Sequence, residues 1–324
     1  MIVITGAAGF IGSNLAEELW NEGFHDLVLV DDFSNPLKAS NWNKIVYKEK
    51  VHRDEFFVWL EKNHRGVQYI FHLGARTNTL ETDEEVLNRL NYEYSKSVWE
   101  FCSQMGIPLC YASSAATYGD GKLGFNDDVE DLERLKPLNP YGWSKHRFDL
   151  WAVKQERTPP QWVGLKFFNV YGKNEQHKGK MASVVWHAYQ QIKETGQLKL
   201  FKSYHLDCEN GNQKRDFVFV KDLVKMMILI MNDRKINGIF NAGSGKARTF
   251  NELSTVIFDS MNLSRKVEYI EMPENLKNQY QYFTEANMFS FFKKKSLIFT
   301  PIEIGVSSYI KYLEKGTVSS IKLS

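Results

Sequence analysis

Cysteine is scarce in this chain. Cys102, Cys110 and Cys208 are the three present among 324 residues, and no two of them form a C-x-x-C pair. An odd, scattered set argues against a disulfide framework and against a cysteine zinc site, so no metal is expected. An excess of charge of one sign is also missing: 41 basic residues face 39 acidic ones, for a formal net charge of +2. A chain so nearly neutral makes no electrostatic demand for nucleic acid or a membrane surface as partner. No apolar run approaches the length that spans a bilayer. No basic segment with an apolar stretch behind it, as in a secretory signal, precedes Ile2-Val3-Ile4. The expected compartment is therefore the cytoplasm. The remaining composition, 43% hydrophobic and 25% charged, is that of a folded domain. A chain of 324 residues is long enough for one large core with a smaller lobe attached.

Short apolar runs alternate with longer amphipathic ones through the first half. Ile2–Thr5, Asp26–Asp31, Tyr69–Leu73, Leu109–Ala112 and Val163–Phe168 read as buried strands, and Ile11–Asn21, Glu84–Met105 and Tyr141–Gln155 as helices. This alternation predicts an α/β fold: a doubly wound parallel sheet of Rossmann type with right-handed crossovers. Past about residue 170 the texture changes, with glycine, lysine and asparagine gathered in Lys173–Lys180 and Cys208–Lys214. Helical patterns at Met181–Glu194, Val220–Met231, Thr249–Met261 and Pro301–Leu313 are interleaved with short strands at Ile239–Asn241 and Val267–Ile270. The reading is a dinucleotide-binding domain over residues 1–170, its sheet completed by segments near 217–241. Residues 171–324 then form mainly a smaller C-terminal α/β substrate lobe.

Gly6-Ala7-Ala8-Gly9-Phe10-Ile11-Gly12 follows the first strand and opens a helix. In such a turn Gly6 permits the tight bend, Gly9 the approach of backbone to a pyrophosphate, and Gly12 the close packing of helix on strand. The helix N-terminus adds free N–H groups and partial positive charge, with Phe10 and Ile11 at its start. A glycine triplet alone is a weak signal; a strand before it and a helix after it make it specific. Asp31 and Asp32 end the second strand, about twenty residues on, where a carboxylate accepts from the adenosine ribose hydroxyls. That favours NAD. Lys38 and Arg53 argue the other way, since either can meet a 2′-phosphate; taken singly, each is as readily an ordinary surface charge.

Tyr141-Gly142-Trp143-Ser144-Lys145 is Y-x-x-x-K. Residues four apart share a helix face, which brings the ammonium near the phenol, and a nearby cation lowers a phenol's pKa. A phenol tuned in this way can exchange a proton with a substrate hydroxyl. By chance such a pair is an aromatic core residue and a solvated lysine. Upstream, however, Ser114 lies in Tyr111–Gly119, directly after a strand, and strand C-termini are where sites form in parallel sheets. Ser114 there would hold the reacting oxygen.

The glycine loop, Ser114 and the Tyr141/Lys145 pair resemble the extended short-chain dehydrogenase/reductase superfamily, in its NAD-dependent epimerase/dehydratase branch, over essentially the whole chain. Ala115 and Ala116 stand where the similar 4,6-dehydratases carry an acidic pair, so elimination of water lacks its acid and base. The stretches Lys166–Gly172, Lys214–Val218 and Tyr280–Thr284, and above all H-K-G-x-M-A-S at His177–Ser183, are similar to the ADP-L-glycero-D-manno-heptose 6-epimerases. That resemblance implies an isomerase that oxidises an ADP-sugar transiently with bound NADP (NAD being the alternative), forms homo-oligomers and serves lipopolysaccharide biosynthesis. It implies that Lys178 is a second acid/base opposite Tyr141. Without the motif, a lysine in a glycine-rich loop reads as a surface charge. It also implies that Leu73, Gly74, Ala75, Thr77, Asn91, Lys145, Val170 and Lys178 border the cofactor. Asn169, Lys180, His187, Phe201, Lys202, Ser203, Tyr204, Arg215 and Tyr280 are then expected to line the sugar-nucleotide pocket. His187 sits in a helical pattern and reads equally as a core residue. Two other functions stay open at this point: another nucleotide-sugar epimerase, such as a hexose 4-epimerase, and a non-catalytic NAD(P)-binding protein.

Overall fold

The computed structural model describes residues 1–277 and 280–321. Its main sheet is built from β1 (Ile2–Thr5), β2 (Leu27–Asp31), β3 (Glu49–His52), β4 (Tyr69–His72), β5 (Leu109–Ser114), β6 (Trp162–Phe167) and β10 (Gly238–Ala242). The strand order is β10-β6-β5-β4-β1-β2-β3, and every pairing is parallel. β1, β2 and β4 are buried along their whole length, as strands covered by helices on both faces must be.

Side-chain alternation divides the core between those faces. Ile2, Ile4, Leu27, Leu29, Tyr69 and Phe71 pack with Leu15 and Leu19 of the Phe10–Asn21 helix and with Leu223 and Met227 of the Val220–Asn232 helix. Val3, Val28, Val30, Ile70 and Leu109 pack on the other face with Trp59, Val98, Trp99 and Phe148. The Pro140–Ala152 helix that carries Tyr141 lies on this second face. Its start is fixed twice: the Asn139 side chain accepts from Gly142 N at 2.7 Å, and Pro140 occupies the first helical position.

Three differences from the sequence reading have physical causes. β3 carries no apolar signal in the sequence because only Val51 of its four residues is buried, the pattern of a polar edge strand. The helix expected at 84–105 is interrupted by a π-helical turn at Asn88–Glu93, which periodicity does not reveal. The completion of the sheet from segments near 217–241 divides in two: β10 joins beside β6, but β9 (Lys214–Phe219) does not. Instead β9 pairs in parallel with β7 (Asn169–Tyr171) and antiparallel with β11 (Ala247–Thr249). β8 (Leu198–Phe201) and β12 (Val267–Ile270) form a further parallel pair. This smaller C-terminal portion has its own core, with Val185, Tyr189, Leu253, Ile257, Val306 and Ile310 between three helices.

From β1 the chain winds through β2 to β3 on one side, then returns to β4 and proceeds through β5 to β6 on the other. The reversal leaves a crevice beyond the C-terminal ends of β1 and β4, the place where open parallel sheets bind ligands.

Candidate active site

Gly6 and Gly74, just beyond the C-terminal ends of β1 and β4, pack directly against each other. Gly6 has φ +70, and a Cβ on it would lie 2.7 Å from Gly74 N. A Cβ on Gly12 would lie 2.3 Å from the Gly6 carbonyl oxygen, and one on Gly9 3.0 Å from that same atom. The turn is thus closed to side chains and leaves backbone N–H groups at the start of the Phe10–Asn21 helix, the arrangement a pyrophosphate requires. The loop after β4 is pinned alongside it. Leu73 N donates to the Thr5 carbonyl at 3.2 Å and Gly74 N to Thr5 Oγ1 at 3.0 Å. Ala75 is half-buried and Thr77 exposed.

At the end of β2, Asp31 is already engaged. Its carboxylate accepts from Ala8 N at 2.9 Å, from Asp32 N at 2.7 Å and from Lys38 Nζ at 3.1 Å. Asp32 accepts from Ser34 and has an Arg53 guanidinium nitrogen at 3.6 Å. The Ser34 bonds hold the Asp32 carboxyl below its usual range. Both residue types named for the ribose, acidic and basic, therefore converge on one corner. The glycine turn and this corner fit a nicotinamide dinucleotide.

Tyr141, Ser114 and Lys145 meet at the end of β5. The Tyr141 hydroxyl hydrogen-bonds to the Ser114 side chain; burial pushes the phenol up, and that bond pulls it partly back. Lys145 Nζ donates to the Ala112 carbonyl at 2.9 Å. Burial pushes the lysine down to about 8, against the opposing pull of Asp149. The lowering of the tyrosine by the lysine, expected from spacing, is not found here: burial and the Ser114 bond set the phenol, and the ammonium is turned to a backbone carbonyl.

Behind this trio lies a polar group that sequence reasoning missed. Asp149 and Lys166 are fully buried and 3.1 Å apart. Asp149 also accepts from Tyr111 OH at 3.0 Å and Ser113 Oγ at 2.6 Å, and Lys166 donates to Thr117 Oγ1 at 2.6 Å. The i, i+4 spacing of Tyr141, Lys145 and Asp149 was the available signal. Asn91 is also fully buried. It accepts from Arg76 N at 2.7 Å and donates to the Arg76 carbonyl at 3.0 Å and to Ser144 Oγ at 2.9 Å, clamping the loop after β4 to the tyrosine helix.

The H-K-G segment folds over the glycine turn. Lys178 Nζ lies 5.7 Å from the centroid of the Phe10 ring, and burial pushes its pKa down. The buried Glu175 carboxylate accepts from Gly172 N at 3.2 Å, Ser183 N at 2.5 Å and Ser183 Oγ at 2.7 Å, closing the segment on itself. Lys180 is exposed on this segment, and His187 is exposed on the helix that follows it, not in the core. Val170 is half-buried, and the exposed Asn169 accepts from Thr284 Oγ1 at 3.4 Å.

In the smaller portion, the Arg215 guanidinium lies 5.1 Å from the Tyr280 ring and 5.7 Å from the Phe250 ring. Tyr280 packs edge-on to Tyr282 at 5.3 Å, and Tyr282 OH accepts from Tyr204 N at 3.1 Å. The 201–204 stretch is thereby brought to the Arg215–Tyr280 cluster. Within it, Phe201 is half-buried, Lys202 pairs with Glu271 at 2.6 Å, and Ser203 N donates to Asn210 Oδ1 at 2.8 Å. Among the described residues no group of three or more His, Cys, Asp or Glu is placed to hold a metal, and no helix is long and apolar enough to cross a membrane.

A glycine-cradled dinucleotide crevice bordered by a Ser–Tyr–Lys trio defines a nucleotide-dependent oxidoreductase-type fold. Accordingly, residues 2–243 match the NAD dependent epimerase/dehydratase family, to which the chain belongs. Within that family it is 45% identical to the ADP-L-glycero-D-manno-heptose-6-epimerase of Fusobacterium nucleatum subsp. nucleatum, over 97% of this chain and 98% of that protein. The crystal structure of the Helicobacter pylori ADP-L-glycero-D-manno-heptose-6-epimerase matches with a TM-score of 0.81 at 28% identity, covering 97% of this chain and 96% of that one. A UDP-N-acetylglucosamine 4-epimerase from Methanobrevibacter ruminantium shares the fold, with a TM-score of 0.82 at 24% identity over 97% of this chain and 98% of that one.

Proposed function

We propose that this chain interconverts ADP-D-glycero- and ADP-L-glycero-D-manno-heptose at C6 through a transient ketone. The relatives that match it over nearly their full length carry that name. Two observations support the reading: the Tyr141 hydroxyl bonded to Ser114 at the C-terminal end of β5, and the Lys178 ammonium over the Phe10 ring at the start of the helix after the glycine turn. A bound dinucleotide supplies reversible hydride acceptance at the sugar carbon.

The chain's own residues do the rest. Ser114 holds the C6 oxygen, and Tyr141 takes the hydroxyl proton as that carbon is oxidised. Lys145, held at the Ala112 carbonyl one helical turn from Tyr141, supplies the positive charge of the site. Return of hydride to the opposite face requires the ketone to turn over, which carries its oxygen to a new position. There Lys178 gives the proton that makes the new hydroxyl. Arg215 would meet the substrate diphosphate, and Tyr280 with the 201–204 stretch its base or sugar faces.

The dinucleotide we propose is NADP, on the strength of Lys38 and Arg53; NAD is the second reading, favoured by Asp31 and Asp32. Calorimetric titration of the chain with each dinucleotide decides between them. Incubation with ADP-D-glycero-D-manno-heptose, followed by NMR at C6, tests the reaction. The expected result is an equilibrium mixture of two epimers. A folded, dinucleotide-loaded sample that leaves the substrate unchanged overturns the reading. A hexose 4-epimerase with one base would tolerate Lys178→Ala, whereas the two-base enzyme loses most turnover.

A further inference from the structure

Asn41 sits where two functional segments touch. It is 5% exposed. Its Nδ2 lies 3.1 Å from each of three acceptors: the Ala8 carbonyl in the glycine turn, and the Asn174 carbonyl and His177 Nδ1 at the head of the H-K-G segment. A side-chain amide nitrogen carries two hydrogens, so the three acceptors share two donors, and both segments hold to the same atom. Burial, with the Lys38 and Lys178 ammonium groups nearby, pushes the His177 imidazole down to about 4. The ring is then uncharged at neutral pH, and because an amide nitrogen only donates, its contact with Nδ1 requires the tautomer with the remaining proton on Nε2.

Neighbouring residues stitch the same two segments together. Asn14 Nδ2 donates to the Lys173 carbonyl at 3.0 Å, and Asn174 Nδ2 to Ser13 Oγ at 3.1 Å. Lys173 pairs with Glu17 at 2.6 Å. These contacts grip the segment at residues 173 and 174, whereas Asn41 reaches His177, the residue before Lys178. Three residues before Asn41, Lys38 holds the Asp31 carboxylate at 3.1 Å. The short stretch from Lys38 to Asn41 thus touches the ribose corner, the phosphate turn and the lysine segment.

We propose that Asn41 is a positioning residue that fastens the Lys178 segment to the phosphate turn, so that filling the dinucleotide site orders residues 173–183. The consequence for turnover rests on the reading of Lys178 as a proton donor and acceptor. The physical basis is that a dinucleotide restrains the turn it binds, and a segment hydrogen-bonded to that turn loses freedom with it.

Hydrogen exchange tests this on the full chain, without any sugar substrate. Backbone exchange over 173–183 is followed by mass spectrometry with and without saturating NADP, in the wild type and in Asn41→Ala. In the wild type, exchange slows about tenfold on saturation; in Asn41→Ala, most of that slowing is lost. His177→Ala removes one contact and leaves those to Ala8 and Asn174. It gives the same direction should Asn41→Ala fold poorly. Equal slowing in wild type and variants, or no slowing in the wild type, overturns the proposal. Kinetics supplies a second readout: Asn41→Ala lowers kcat about tenfold alone and has no further effect in a Lys178→Met background. Equal losses in both backgrounds would show that Asn41 acts elsewhere. A wild type that binds NADP but does not epimerise the heptose defeats the functional reading and leaves the exchange result to decide the coupling.

Discussion

The Lys145 ammonium donates to the Ala112 carbonyl at 2.9 Å, one helical turn beyond Tyr141 and two residues before Ser114 on β5. The lysine is anchored by the backbone of the strand that presents the serine, so the positions of all three groups are set by one strand and one helix.

Because burial pushes Lys145 down to about 8, its charge is lost as pH rises through that value. Turnover should therefore fall above about pH 8. The profile of kcat/KM between about pH 6.5 and 9.5 checks this, and a rate that holds level to the upper limit contradicts it. Stability follows the same group with the opposite sense. Between about 8 and the ordinary lysine value, the unfolded chain holds a proton the folded chain has released. The Lys145 contribution to stability thus rises with pH across that window and is a cost below it.

Ser114→Ala should lower kcat about 100-fold, as removal of one positioned donor does, with KM changed by less than about twofold. The serine also accepts from Ala116 N at 3.1 Å at the start of a short turn. The same variant should therefore lose about 1 kcal/mol of stability. Steady-state kinetics and urea unfolding on one preparation separate the two effects; a KM rise with unchanged kcat would place Ser114 outside the reacting centre.

Gly12→Ala places a methyl group 2.3 Å from the Gly6 carbonyl oxygen, where backbone must move. Dinucleotide affinity measured by calorimetry should drop more than about tenfold, because the phosphate turn is built on that contact. Unchanged affinity would mean the phosphates bind elsewhere.

Asp149→Asn removes one charge of a fully buried pair and leaves Lys166 uncompensated. Breaking such a pair costs about 3–5 kcal/mol, readable as a lower urea midpoint. A loss under about 1 kcal/mol would show that Lys166 finds another partner.

What could be read from sequence depended on whether the signal was local. The glycine turn, Y-x-x-x-K and the buried apolar runs of β1, β2, β4 and β5 are contiguous patterns with fixed spacing, and each appears in the structure as the element expected. β3 and the π turn at Asn88–Glu93 carry no such pattern: the former buries one side chain, and the latter inserts within an otherwise helical run. Asn41, Asp149 and Lys166 were not legible as a site because their partners are remote. Asn41 reaches residues 8, 174 and 177, and Asp149 reaches 111, 113 and 166. The placement of β9 in its own sheet was equally hidden, since its apolar run Phe217-Val218-Phe219 suits either sheet.

In the proposed reaction the C6 hydrogen leaves and returns as hydride held within the protein. Running the epimerisation in D2O and examining the product by NMR and mass spectrometry tests it directly. The inverted C6 is expected to keep its original hydrogen, with no deuterium on carbon. Deuterium at C6 of the product would mean that a proton, not a hydride, had been removed from carbon, and would contradict the mechanism.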